Sequence, residues 1–153
     1  MKRSRLGWVL LVALAAFLGA SSGFAQKPAE PYRPLSNQEM SQQGIWDQWV
    51  YTFNAMTGKQ KAEVMRRHLK MCLDSFDMTD EQRAFVKEVS AKIATEEVYS
   101  TTDPEKRAAL QRELQPIQDK ALSLLGPDLG RKILADKPPI SVLEAVMNDP
   151  AFK

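Results

Sequence analysis

The sequence predicts an all-α protein, a small antiparallel bundle of about four main helices plus a short C-terminal helix, after an N-terminal signal peptide. Beyond residue 35, apolar residues recur at three- and four-residue steps, which is the spacing of one helix face. No stretch alternates between apolar and polar residues, and no Asn-Gly or Asp-Gly pair marks a hairpin turn. Short connections between the helical stretches favour antiparallel neighbours.

Residues 1–25 have the three-part layout of a secretory signal peptide. Three basic residues near the start precede an apolar stretch, and small residues ending at Ala25 form an A-x-A-like cleavage site. We therefore expect export to the periplasm or the extracellular space. An uncleaved N-terminal membrane anchor is the alternative, because no charge interrupts the chain from Leu6 to Gln26. The strongly apolar part is shorter than the ~20 residues of a spanning helix, which favours cleavage.

Cleavage would change the charge balance of the chain. The whole sequence has 21 Lys and Arg against 19 Asp and Glu, and three of the bases but none of the acids lie in residues 1–25. The remaining chain is nearly neutral, which gives no reason to expect a nucleic acid, or a membrane beyond export, as a partner. Another protein is the expected partner. The single cysteine, Cys72, excludes an internal disulfide, so packing must supply the stability.

The proline-rich segment 26–35 predicts a poorly ordered lead-in to a helical bundle over residues 36–135. Ser36 and Glu39 have capping-box spacing, so the first helix is predicted to begin there and to run to about Ala55. Four large apolar residues of this helix share one face and are predicted to enter the core: Trp46, Trp49, Val50 and Phe53.

The pattern Met-Thr-x-x-Gln occurs at Met56 and again at Met78, and each copy predicts a helix capped by its threonine. The helix after Thr57 has an apolar face at alternating three- and four-residue steps: Ala62, Met65, Leu69, Cys72 and Phe76. The helix after Thr79 is predicted to run to about Tyr99. Its inward residues are Phe85, Val86, Val89 and Ile93.

A fourth helix is predicted after Thr102 or Asp103, with Pro104 in its first turn. Its apolar face again follows heptad-like steps: Leu110, Leu114, Ile117, Ala121 and Leu124. Pro116 lies inside this helix and removes one backbone hydrogen bond, which predicts a kink or a break near residues 112–116.

Gly126 and Pro127 are predicted to end the fourth helix, and a short helix can begin after them. Residues 136–153 are predicted to form a linker and a short C-terminal helix. Ser141 and Glu144 have the spacing of a capping box for that last helix.

The candidate metal ligands are Met65, His68 and Cys72, which fall on one helix face. A thioether, an imidazole and a thiol would suit Cu(I). Alternatively, Met65 and Cys72 are core residues and His68 lies at the edge of their apolar face. The chain contains no other His or Cys that could complete a donor set, so we expect neither a metal nor a cofactor.

The sequence does not predict an enzyme, and it offers no catalytic residues. Cys72 and His68 are four residues apart, but the pattern includes no third group that would orient and activate them. Phosphate-binding loops, G-x-S-x-G elbows and H-E-x-x-H motifs are absent from the sequence. Carboxylates occur in ordinary helical ion pairs, such as Glu63 with Arg67.

The helix after Thr57 is unevenly charged, because its bases outnumber the one acid, Glu63, over residues 58–72. We consider a basic docking face for another protein, with Tyr51 as an additional surface contact on the preceding helix. Its candidate residues are Lys59, Arg66, Arg67, Lys70 and Tyr51. The alternative is a solvated face whose charges are answered by the neighbouring helix.

Residues 53–99 resemble the exported bacterial proteins labelled bacteriocin fulvocin C-related. The resemblance lies in the helix start Thr57-x-x-Gln60, the run Arg66-Arg67-His68-Leu69 and the second start, Met78-Thr79-x-Glu81-Gln82. It implies an exported helical protein, and it supplies no catalytic or binding residues. With one cysteine, the chain lacks the disulfides of a small stapled toxin.

The paired Met-Thr-x-x-Gln starts are also similar to the Leu-Thr-x-x-Gln starts of the periplasmic LTxxQ proteins. This chain has Met in place of Leu and a shorter spacing between the two copies. The likeness implies a helical surface that holds unfolding clients, or that senses envelope or metal stress, without a cofactor.

Overall fold

The prediction of an all-α fold is confirmed in a computed structural model, which describes residues 31–153. Seven α-helices occur in this part of the chain: α1 (Asn37–Gln42), α2 (Trp46–Ala55), α3 (Gly58–Ser75), α4 (Asp80–Ile93), α5 (Glu96–Ser100), α6 (Pro104–Gly130) and α7 (Ile140–Asn148). A π-helical turn, Arg131–Ala135, follows α6, and a 3-10 turn, Pro150–Phe152, follows α7. The described residues contain no β-strand, only an isolated bridge between Leu35 and Lys137.

The predicted signal peptide and residues 26–30 of the proline-rich segment lie outside the described residues. Within 31–153, no helix has both the length and the apolar character that crossing a membrane requires.

Three predicted capping boxes are confirmed, at Ser36, Thr57 and Thr79. In each, the side-chain oxygen accepts from the backbone N–H three residues on, and that residue's side chain accepts from the backbone N–H of the cap. The box predicted at Ser141 is wrong. The helix begins at Ile140 after Pro139, and the Val142 N–H donates to the Pro139 carbonyl at 3.0 Å, so Ser141 already lies inside the first turn.

The first predicted helix is two helices, because the chain turns at Gly44. Its φ of 69° is left-handed, which glycine adopts without steric cost. The Ile45 N–H donates to the Met40 carbonyl at 3.0 Å and the Gly44 N–H to the Ser41 carbonyl at 3.1 Å, which is the Schellman pattern of a helix end. The turn gives α2 its own direction, and both Met40 and Trp49 reach the same core.

The third predicted helix also ends early, at Ile93 and not near Tyr99. Ala94 leaves helical geometry at φ −89°, ψ 51°, and its carbonyl accepts from Nη2 of Arg66 at 3.0 Å. The chain then forms α5, which packs on the start of α3. A Cβ at Gly58 would lie 1.9 Å from Oγ of Ser100, 3.1 Å from its Cβ and 3.3 Å from the Glu96 carbonyl oxygen, so α5 leaves little room for a side chain in the first Met-Thr-x-x-Gln copy.

Helix α6 is capped as predicted. The side chain of Asp103 accepts from two first-turn N–H groups, and Pro104 occupies the first position. The helix is not broken near Pro116. The proline side chain is exposed, so the carbonyl that would have accepted its missing N–H can face water. The interruption lies at Gly126, with φ 77° and ψ 169°, as predicted from the Gly-Pro pair.

Two apolar cores hold residues 32–153 together. The first core contains Leu69, Cys72, Met78, Phe85, Val86, Val89, Ile117, Ala121, Leu125 and Ile133. The second core contains Met40, Trp49, Met56, Val64, Val142, Leu143 and Val146. Helix α7 is therefore an integral part of the packing. Trp49 is buried as predicted, and its indole N–H donates to the Pro138 carbonyl at 2.9 Å, which satisfies its polar group.

Candidate functional site

His68 is one of the buried residues of α3, so the alternative that placed it at the edge of an apolar face is wrong. Its side chain is completely buried. Nε2 is 2.9 Å from the carbonyl oxygen of Ile133, and Nδ1 is 2.8 Å from the hydroxyl oxygen of Tyr32. Because a carbonyl only accepts, Nε2 carries the proton, and Nδ1 accepts from the Tyr32 hydroxyl. Both ring nitrogens are therefore satisfied in the neutral form.

The surroundings of His68 favour neutral groups. Burial lowers the pKa of His68, because a buried imidazolium loses its hydration. The hydrogen bond to Ile133 and the negative charge of Asp136 raise this pKa, and the positive charge of Lys137 lowers it, but burial has the largest effect. Burial also raises the pKa of Tyr32, so its hydroxyl remains a donor. The Tyr32 and His68 rings meet edge to face, with centroids 5.8 Å apart.

The thiol of Cys72 lies beside this ring but is not activated by it. Sγ is 3.9 Å from each ring nitrogen of His68. Burial, with a smaller contribution from Asp136, raises the pKa of Cys72 to about 12. A nucleophilic cysteine needs a lowered pKa and access to a substrate. This one is completely buried, so its environment suits packing.

The structure brings His68 and Cys72 together, while Met65 is only partly buried. In neutral His68, the one ring lone pair, on Nδ1, is already used by Tyr32. A metal at His68 would have to displace that hydroxyl. Residues 31–153 contain no cluster of three or more His, Cys, Asp or Glu side chains that could hold an ion.

Arg67, one of the candidate docking residues, is held by contacts within the chain. Its Nε donates to Glu63 at 2.9 Å, and its Nη2 donates to Asp149 at 2.7 Å. Its guanidinium also lies 5.8 Å from the centre of the Phe152 ring. Two hydrogen bonds to the Asp149 carboxylate lower its pKa. The bond donated by the Ala151 N–H has the larger effect, and the bond donated by Arg67 has the smaller one. Arg67 thereby fastens the C-terminal residues to α3.

The other candidate cations of α3 also have partners within the chain. Arg66 pairs with Glu63 and with the Ala94 carbonyl. Lys70 pairs with Asp74 at 2.6 Å. Lys59 donates to the Ala151 carbonyl at 3.3 Å and lies over the Phe152 ring. These contacts within the chain favour a structural role for the basic face.

Tyr51 differs from the other large aromatic residues of α2. It is 78% exposed, whereas Trp49 is 7% exposed and stacks on Phe53 with ring centroids 4.9 Å apart. The side chains one helical turn to either side are also exposed: Asp47, Gln48, Asn54 and Ala55. We call this surface the Tyr51 face.

Sequence reasoning missed the residues that complete the His68 cluster: Tyr32, the Ile133 carbonyl and Asp136. Tyr32 stands among prolines in a segment predicted to lack order, yet its backbone N–H also donates to Oγ of Ser75 at 3.3 Å. A backbone carbonyl such as that of Ile133 leaves no trace in the residue pattern. Comparisons of this chain with protein-family models, curated proteins and solved structures found no match.

Proposed function

We propose that this chain is an exported, non-enzymatic helical protein of the bacteriocin fulvocin C-related type, and that it acts by binding another protein. The proposal rests on one contrast: the reactive side chains are buried and satisfied, while an aromatic residue stands on an exposed helix face. The resemblance over residues 53–99 and the signal-peptide pattern support the type and the export.

The non-enzymatic part of the proposal follows from the state of Cys72 and His68. The thiol has a pKa of about 12 and no exposed surface, so it does not form a thiolate near neutral pH. The imidazole is held by Tyr32 and Ile133 through both nitrogens and has no free position for a substrate proton.

The binding part of the proposal uses the Tyr51 face. A tyrosine offers a large amphipathic contact area and loses little conformational entropy on binding, which is why it is common at binding hot spots. The neighbours of Tyr51 one turn away on α2 are exposed and carry no aromatic ring, and Tyr51 itself is 78% exposed. On the other side of α2, buried Trp49 and the partly buried Trp46 and Phe53 pack in the second core and hold the helix in place.

Site-specific photo-crosslinking tests this proposal. A photoreactive phenylalanine analogue replaces Tyr51 in the full chain, expressed in its source cells, and the control replaces Arg112, an exposed residue of α6. We expect a discrete protein adduct from position 51 alone. Tyr51→Ala should weaken binding of the captured protein by about tenfold or more, with Arg112→Ala unchanged. Equal adducts at both positions, or none at position 51, would contradict the proposal.

A chaperone-like role of the LTxxQ kind is the second candidate, and exposed apolar side chains favour it. Leu122 is 70% exposed on α6, while Met71 and Met147 are each 36% exposed. Flexible methionines adapt to varied partners. Suppression of the aggregation of a denatured model client, reduced by Leu122→Ser, would support this role. An absence of effect at large molar excess would count against it.

A further inference from the structure

A groove with a volume of about 570 Å³ lies between the start of α1 and the π-helical turn. It is separate from the Tyr51 face, and its lining includes five charged residues and one aromatic residue: Arg33, Glu39, Arg131, Lys132, Asp136 and Phe76. Three of these side chains are cationic and two are anionic. π-helical segments are rare and are frequent at functional sites, and this one carries two of the three cations.

Asp136 fixes the orientation of Arg131. The carboxylate is 6% exposed, and both of its oxygens accept from Nη1 of Arg131, at 2.9 and 2.8 Å. The Asp136 N–H donates to the Arg131 carbonyl at 2.8 Å, which holds the two residues in register. Nε and Nη2 of Arg131 make no hydrogen bond with any residue from 31 to 153, and the side chain is half exposed. With no partner among the described residues, these two nitrogens can donate to a ligand.

Arg33, another residue that lines the groove, is also paired with a carboxylate. Nη2 pairs with one oxygen of Glu39. The other Glu39 oxygen accepts from the N–H and the hydroxyl of Ser36, both at 2.9 Å, so the capping box also positions this carboxylate. Lys132 lies over the Phe76 ring at 5.8 Å, and its ammonium has no carboxylate partner within the described residues.

Both carboxylates of the groove are therefore already engaged by arginines, and each arginine uses only one terminal nitrogen for its pair. The free guanidinium donors and the ammonium form a set that recognises oxyanions. We propose that this groove binds a small ligand that bears a phosphate or carboxylate group, through Arg33, Arg131 and Lys132. Asp136 is a positioning residue for Arg131. This inference does not depend on protein binding at the Tyr51 face.

Isothermal titration calorimetry of the full chain with inorganic phosphate, and separately with succinate, tests the site and distinguishes the two ligand chemistries. We expect saturable binding of at least one anion, weakened about tenfold by Arg131→Gln and by Lys132→Gln. Arg33→Gln should also weaken binding of the anion, and because this side chain is largely exposed, the change does not disturb a core. The matched control, Arg112→Gln on α6, removes the same charge elsewhere and should leave the affinity unchanged.

Asp136→Asn separates positioning from net charge. If only the net charge of the groove mattered, removal of a negative charge would strengthen anion binding. If Asp136 instead holds Arg131 in position, loss of its carboxylate should weaken anion binding. Circular dichroism of each variant confirms that the fold is kept. The proposal is overturned if neither anion binds saturably, if Arg112→Gln weakens binding as much as Arg131→Gln, or if folded Asp136→Asn binds more tightly.

Discussion

Acidification should destabilise this protein through His68, the only histidine in the chain. Burial lowers the pKa of His68 in the folded state below its ordinary value of 6.5. As the pH falls through 6.5, the unfolded chain therefore takes up a proton before the folded chain does. The stabilisation is complete above pH 6.5 and is lost between 6.5 and the lowered folded pKa.

The size of the effect follows from one proton. Within that window, the free energy of unfolding should fall with a slope that approaches about 1.4 kcal/mol per pH unit, because a single proton is taken up on unfolding. Asp149, whose pKa is also lowered, affects the free energy of unfolding only at lower pH. Its contribution is present above its ordinary value of 3.8 and is lost as the pH falls below it.

Urea unfolding at about pH 7 and about pH 5.5 measures the slope. His68→Gln should flatten it over this interval. Tyr32→Phe should keep it, because that variant retains the buried imidazole while removing its hydroxyl partner. The reasoning is refuted if the wild-type protein is equally stable at both values, or if His68→Gln shows the wild-type slope.

Three further predictions concern packing. Tyr32→Phe leaves Nδ1 of His68 without its 2.8 Å donor, and denaturant unfolding should show a loss of about 1–3 kcal/mol. Gly58→Ala places a Cβ 1.9 Å from Oγ of Ser100 and should lower the free energy of unfolding by about 1–3 kcal/mol. Ser100→Gly in the same chain should recover part of that loss, and a strictly additive double variant would contradict the contact. Cys72, with no exposed surface, should resist alkylation in the folded protein at mildly alkaline pH and react once urea unfolds it; mass spectrometry distinguishes the two outcomes.

Helix starts were predictable because the interactions that form them are local. Thr57 and Thr79 each exchange hydrogen bonds with a glutamine three residues on, and both boxes formed as expected. Helix ends were harder to predict. The end of α4 at Ile93 depends on the Ala94 carbonyl, which meets a guanidinium 28 residues earlier in the chain.

The sequence by itself determined the fold class, three capping boxes, the Asp103 cap and the burial of Trp49, since each depends on residue spacing or on bonds within one helical turn. Only the tertiary structure decided what surrounds His68. Tyr32 and the Ile133 carbonyl approach its ring from 36 and 65 residues away, and no periodic pattern records such pairings. The same holds for the groove beside the π-helical turn. Its two arginines come from distant segments, and only the folded chain brings both to the same groove.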